Sequence, residues 1–267
     1  MSSPHAATAT SRVRIVLVEP AGPLNIGSVA RVMKNFGLCQ LTLVNPHGDP
    51  HSAEARQMAV HAYDLLEQAQ IVDSLPAALA GCQAAIATTA RSRDLDTPLE
   101  APGEAFPWLL NAPSGALIFG PEDRGLNNDE LIQAQRYVKI ATRPPYESLN
   151  LAQAVAICCY ELSQQRLAQD SPPASPAPAV EAAVSATAAS LDELDGYYQH
   201  LESTLLEIGY LYPHTAPSRM RKLRQIGHRA ALSTQDVAML RGMLRQINWA
   251  LNQEMPPPPP VSKEERS

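Results

Sequence analysis

Leu117-Ile-Phe-Gly-Pro-Glu-Asp-Arg-Gly-Leu126 is a short apolar run that closes at Gly120 and breaks into a polar turn. A buried strand delivers its C-terminal end to a crevice in this way. Just downstream, Ser148-Leu149-Asn150-Leu151 follows the turn-forming pair Pro144-Pro145 and stands immediately before a long apolar helical pattern. Upstream, Val13 to Val18 reads as an apolar strand. Glu19 to Gly27 (Glu-Pro-Ala-Gly-Pro-Leu-Asn-Ile-Gly) is then a loop into a helix that carries Arg31. Ligands of open α/β sheets gather at strand ends and helix starts, so the three segments mark one site.

Outward from these segments, short β-branched runs alternate with helical ones. They are Val13 to Val18, a helix from Ile26, Leu41 to Asn45, a helix through the sixties, Ala84 to Thr88, Ala116 to Gly120 and Val138 to Ala141. Such alternation specifies an α/β domain, placed at residues 12–167, with a mainly parallel sheet. A helix from Leu149 closes it, with Leu151, Val155, Cys158, Cys159 and Leu162 as its core stripe. Residues 1–11 lack periodicity and read as a disordered arm. Residues 168–190 are Pro, Ala and Ser with two acidic side chains and no basic one, a linker with little sign of packing on the first domain. Beyond it, Leu194, Tyr198, Leu201, Leu205 and Ile208, and then Val237, Leu240, Leu244, Ile247 and Leu251, recur at helical spacing around a basic segment. This predicts a small all-α unit over 191–255, a helical hairpin or three-helix bundle, with a disordered tail at 256–267 opened by Pro256 to Pro260.

With 267 residues and 45% hydrophobic side chains, the chain can bury a sizeable core, and its net charge of −6 argues against indiscriminate coating of nucleic acid. An RNA partner therefore needs a local basic patch. Arg219, Arg221, Lys222, Arg224 and Arg229 supply one, since no acidic residue interrupts the 28 positions between Glu207 and Asp236. A solvated helix face is the plain alternative. Tyr197, Tyr198, Tyr210 and Tyr212 read as core or interface aromatics, with base stacking as the lesser reading. Cys39, Cys82, Cys158 and Cys159 form no Cys-x-x-Cys pair and read as reduced core residues. No membrane span or secretory signal is apparent, which predicts a cytoplasmic protein.

Together, the run from Asn25 to Arg31 (Asn-Ile-Gly-Ser-Val-Ala-Arg), the turn from Phe119 to Glu122 and the run from Ser148 to Leu151 resemble the SpoU/TrmH branch of the SPOUT RNA methyltransferases. The likeness holds in order and spacing over roughly residues 12 to 165. The resemblance implies a SPOUT-type sheet with a C-terminal trefoil knot, S-adenosylmethionine as cofactor, no metal, and a homodimer whose interface lies beside the cofactor. Residues 197–206 and Lys222-Leu223-Arg224 resemble the extension of the branch that methylates nucleotide 32 of the tRNA anticodon loop. That implies 2′-O-methylation of cytidine or uridine in tRNA, with no role for DNA. Another tRNA or rRNA position, or a non-catalytic RNA-binding relative, are the alternatives, and the second is disfavoured by the joint presence of Arg31, Glu122 and Asn150.

Carried over by the resemblance, the cofactor would be held by Thr88, Thr89, Ala90, Gly120, Ile140, Glu147, Ser148, Leu149 and Asn150, with Glu147 contributing only its backbone. On a helical wheel Val29, Ala30, Met33 and Phe36 form the buried side, and Arg31 falls about 200° from Val29. Pattern alone makes Arg31 a solvated arginine, whereas the resemblance makes it catalytic. A guanidinium is a poor base at neutral pH, so electrostatic help through the target phosphate is the preferred role, with base action second. Asn25 is a helix cap or a substrate contact. Glu122 is a turn carboxylate or orients Arg31 or Asn150. Ser148 and Asn150 are a capping pair, functional, or both. Pro121 stands where relatives carry a basic residue, which puts an RNA contact there in doubt. The chain has no Gly-x-x-x-x-Gly-Lys-Ser/Thr, and the Gly22 to Gly27 loop lacks dinucleotide-binding spacing.

Overall fold

The computed structural model describes residues 12–90, 98–144, 148–170 and 188–252. Seven parallel strands form one sheet: β1 (Val13–Val18), β2 (Gln40–Val44), β3 (Gln70–Val72), β4 (Ala84–Thr88), β5 (Leu99–Glu100), β6 (Gly115–Phe119) and β7 (Arg136–Val138), in the order β3-β2-β1-β6-β4-β7-β5. The central strands β1, β6 and β4 are apolar except for Arg14 and Thr88 because both faces are covered, as parallel sheets require. The pleat divides them cleanly. Ile15, Leu17, Ile86, Leu117 and Phe119 enter one core, and Val16, Val18, Ala85, Ala87, Ala116 and Ile118 the other.

The first face is covered by α1 (Pro23–Asn35), α2 (Ala53–Ala59), α3 (Tyr63–Glu67), α5 (Pro102–Asn111) and α7 (Leu151–Asp170). Val29, Ala30, Met33, Val155, Cys158 and Cys159 are wholly buried there, and burial pushes both thiols up, Cys159 to about 12. Cys39 is exposed instead of buried, a departure from the all-core reading. Gly27 lets α1 lie against α2, since a Cβ on it would sit 2.2 Å from the Ala55 carbonyl oxygen.

Several boundaries differ from the sequence reading. α1 begins at Pro23, with Gly22 as its cap, not at Ile26. Proline at the first helical position gives up no hydrogen bond, so the helix starts three residues sooner. β7 ends at Val138, and α7 begins at Leu151. The strands β3 and β5 and the helices α4 (Leu75–Leu79) and α6 (Asn128–Leu131) are too short to show a period, and α5, with Pro107 inside it, is likewise absent from the sequence reading. The expected linker is narrower, since α7 runs through Asp170 and Ala188 bridges Ser233; residues 171–187 lie outside the described ones. The expected disordered arm at 1–11 and the tail at 256–267 lie outside them too.

The helices α8 (Leu191–Glu207), α9 (Ala216–Ala230) and α10 (Thr234–Leu251), whose placement the sequence leaves open, form one apolar cluster with the second face of the sheet. The Leu191 N–H donates to the Cys82 carbonyl at 2.8 Å, and the Gly81 N–H donates to Asp192 at 3.0 Å, which holds that carboxyl below its usual range. Tyr198, 1% exposed, sits in the middle of this contact with Arg224 4.7 Å above its ring and His228 at its edge. Burial raises the Tyr198 phenol to about 12 and lowers His228 to about 4, with the Arg224 charge assisting at His228. No helix among the described residues is long and apolar enough to cross a membrane.

His228 sets a pH dependence of stability. Below pH 6.5 the unfolded chain binds a proton that the folded protein takes up only near about 4. Stability is therefore full above pH 6.5 and falls between 6.5 and 4, by up to about 3 kcal/mol. Denaturant unfolding of the wild type and His228→Leu across this window should show a flatter dependence in the variant. Parallel curves would mean that His228 titrates freely.

Candidate functional site

The C-terminal ends of β4, β6 and β7 and the segment before α7 surround a cleft of about 270 Å³. Thr88, Thr89 and Ala90 line it from β4, Gly120 to Leu126 from β6, Val138 and Ile140 from β7, and Ser148, Leu149 and Leu151 from the start of α7. Its walls alternate apolar side chains with backbone groups released at strand ends, the composition of a small-molecule site. The Thr88 hydroxyl donates to the Ile118 carbonyl at 3.0 Å and the Thr89 N–H to the Val138 carbonyl at 3.0 Å, so β4 is tied to both neighbours at the rim.

Gly120 has no room for a side chain. A Cβ there would meet the Leu126 nitrogen at 2.4 Å and the Gly125 carbonyl carbon at 2.5 Å. The loop folds back on itself through the Gly125 N–H to the Pro121 carbonyl at 2.9 Å, with Gly125 at φ +66°. Arg124 fixes the loop's other end, paired with Glu19 at 2.6 Å and with both oxygens of Glu130 at 2.9 Å. Those two carboxylates, Glu130 foremost, drive its guanidinium pKa still higher. Sequence reading passed over Arg124, and two acidic partners, one of them 105 residues away, left no local sign.

Beside the cleft, three polar side chains from three elements join. The Asn25 amide N–H₂ donates to Glu122 Oε1 at 2.5 Å, and its oxygen accepts from the Asn150 amide at 3.1 Å. Glu122 Oε2 accepts from the Ala21 N–H at 3.0 Å. The direction of this chain is dictated at both ends, because a carboxylate only accepts and Asn150 Oδ1 is already taken by the Ala152 and Gln153 N–H groups. Asn150 therefore caps α7 and holds Asn25 at once. Asn25 lies within the first turn of α1, so the capping role read from sequence falls instead to Gly22. Glu122 holds Asn25, and neither Arg31 nor Asn150 directly.

Arg31 is exposed and has no ion-pair partner among the described residues. Ser148 is exposed and lines the cleft, Glu147 lies outside the described residues, and Pro121 is buried in the cleft wall. In the basic segment Arg219, Lys222 and Arg229 are exposed. Arg221 stands 3.7 Å from Asp129. Arg224 is engaged internally, paired with Asp195 at 2.8 Å and with its side chain only 16% exposed, so the expectation that it contacts phosphate is corrected.

Two family models match the chain, the SpoU rRNA Methylase family over residues 12–160 and the C-terminal domain of tRNA methyltransferase TrmJ over residues 192–256. The tRNA (cytidine/uridine-2′-O-)-methyltransferase TrmJ of Klebsiella pneumoniae is 44% identical over 240 residues, covering 88% of this chain and 96% of the relative. The tRNA (cytidine/uridine/adenosine-2′-O-)-methyltransferase TrmJ of Pseudomonas aeruginosa is 40% identical, covering 88% and 93%. Among solved structures, TrmJ from Z. mobilis superposes with a TM-score of 0.75 at 31% identity, over 88% of this chain and 98% of that one.

Two substitutions test the geometry. Gly120→Ala should displace the loop, cost about 1–3 kcal/mol and abolish ligand binding in the cleft, as read by denaturant unfolding and calorimetry. Glu122→Gln leaves one acceptor oxygen for two donors and should cost about 1–2 kcal/mol. Unchanged stability in Glu122→Gln would mean that the Glu122–Asn25–Asn150 chain does not form in solution.

Proposed function

The chain belongs to the SpoU methylase family, and from that membership we propose that it transfers a methyl group from S-adenosylmethionine to a ribose 2′-hydroxyl of tRNA, on cytidine or uridine at position 32 of the anticodon loop. The observation that carries this reading is the cleft at the ends of β4, β6 and β7, with the Glu122–Asn25–Asn150 chain on its rim. The cofactor fits the residues present. Apolar Ile140, Leu149 and Leu126 suit the faces of an adenine, and the backbone that Gly120 and Leu149 bring to the cleft suits its polar edge and ribose. When bound, S-adenosylmethionine supplies an electrophilic methyl carbon on a sulfonium.

The protein's own residues provide position and charge. Asn25 and Asn150, locked by Glu122 and by the start of α7, present fixed dipoles beside the cleft. Arg31 projects into solvent from the same helix as Asn25, with its donors available to a substrate phosphate. A cation there favours the alkoxide-like charge that develops as the 2′-hydroxyl loses its proton.

The same reading includes a cytoplasmic protein, the trefoil crossing implied by the family, and a homodimer. The dimer is supported by Leu24 on α1 and by Ile157, Tyr160 and Leu167 along one stripe of α7, all exposed on adjoining helices. Exposed Arg219, Lys222 and Arg229 are assigned to tRNA phosphates.

Arg31→Ala should lower single-turnover methylation of a tRNA transcript by more than a hundredfold and leave cofactor affinity unchanged by calorimetry. Retention of activity within about tenfold, a barrier change of ~1.4 kcal/mol, would remove Arg31 from the reaction. Replacing Arg219, Lys222 and Arg229 together with Ala should flatten the log–log salt dependence of tRNA binding by about two to three. An unchanged slope would return these side chains to the role of a solvated face.

A further inference from the structure

The turn between α8 and α9 carries two tyrosines that the fold does not bury. Tyr210 and Tyr212 are 58% and 56% exposed, while Leu211 between them is 1% exposed and roots the turn in the core. The turn is firmly held. The Leu211 N–H donates to the Leu205 carbonyl at 2.9 Å, the Thr215 N–H and Ala216 N–H both donate to the Tyr212 carbonyl at 2.8 Å, and Gly209 takes φ +72°. Each ring also has a partner behind it. The Arg219 guanidinium lies 5.6 Å from the Tyr210 ring centre and donates to the Tyr210 carbonyl at 3.1 Å, and the Tyr212 ring stacks on His214 at 6.0 Å and 24°.

Two rings set on a rooted turn, each backed on one side and open over most of its surface, present flat apolar faces at little cost in ordering. The surroundings select what covers them. Arg219 is exposed beside Tyr210, Lys222 is exposed three residues further along α9, and no acidic residue occurs between Glu207 and Asp236. A flat π face framed by cations matches an unpaired nucleobase on a phosphate backbone, whereas a duplex hides the faces of its bases. We propose that Tyr210 and Tyr212 form a stacking platform for unpaired bases in the RNA substrate. The platform extends the tRNA reading and depends on it for the identity of that RNA.

Stacking and phosphate contact differ in their salt response. With the full-length protein and an unmodified tRNA transcript, the double variant Tyr210→Ala/Tyr212→Ala should weaken binding roughly tenfold or more, because each stacked base contributes appreciably. The log–log salt slope should stay that of the wild type, and Tyr210→Phe/Tyr212→Phe should bind normally, since the ring and not the hydroxyl is used. If the Ala variant unfolds early, Tyr210→Leu/Tyr212→Leu takes its place and should show the same loss. Affinity within twofold of wild type in a folded ring-less variant overturns the proposal. So does a shift in sedimentation that makes the patch an interface between copies of this chain. Single-stranded oligouridylate separates the two readings. If the wild type fails to bind tRNA but binds oligouridylate through the tyrosines, the tRNA reading fails and the platform stands; if neither RNA senses the tyrosines, the platform fails.

Discussion

The amide of Asn25 faces two groups of opposite demand, a carboxylate that can only accept and an asparagine whose oxygen is already committed to a helix start. Only one orientation satisfies both. The bond chain therefore fixes three pieces of backbone relative to one another: the first turn of α1, the loop after β6 and the beginning of α7. Each also borders the cleft or its rim, so the shape of the ligand site is set by the same hydrogen bonds that close the fold at this edge of the sheet. Arg124 acts similarly one step away, holding the far end of the β6 loop to Glu19 at the end of β1 and to Glu130 on α6.

The second face of the sheet is occupied by the helical unit, and this changes what that unit is. Leu191 and Tyr198 belong to the same apolar cluster as Ala85, Ala87 and Ala116 of the sheet, and α8 reaches that cluster by packing on α4. The helical unit is thus part of the hydrophobic core of the catalytic domain as well as a bearer of basic side chains. Its outer surface, by contrast, is left open along much of α10, where Met239, Met243 and Trp249 are exposed.

How much of this the sequence displayed depends on range. Buried strands, the exposure of Arg31 and the core stripe of α7 follow from local periodicity, and periodicity was enough. The residues lining the cleft follow from motif order along the chain. The bonds that organise the site do not, because Asn25 meets Glu122 and Asn150 across 97 and 125 residues, and no local pattern encodes such meetings. The inward turn of Arg224 is hidden for the same reason, since its partner Asp195 sits on another helix and a run of like charge says nothing about which member turns inward. The docking of the helical unit was equally silent, because an amphipathic stripe is satisfied as well by its sister helices as by a sheet.

The contact at Gly27 has a consequence for how lesions in this protein will present. With a Cβ 2.2 Å from the Ala55 carbonyl oxygen and 2.9 Å from Met58 Cβ, α1 and α2 are seated backbone to backbone, and any side chain at position 27 would lever α1 outward. Asn25 and Arg31 ride on that helix. A screen for lost activity would then return position 27 alongside the residues that meet the ligand, although nothing at position 27 takes part in chemistry. What separates mechanical lesions from chemical ones is breadth: a displaced helix weakens every ligand contact made from α1 together, whereas a missing guanidinium silences one.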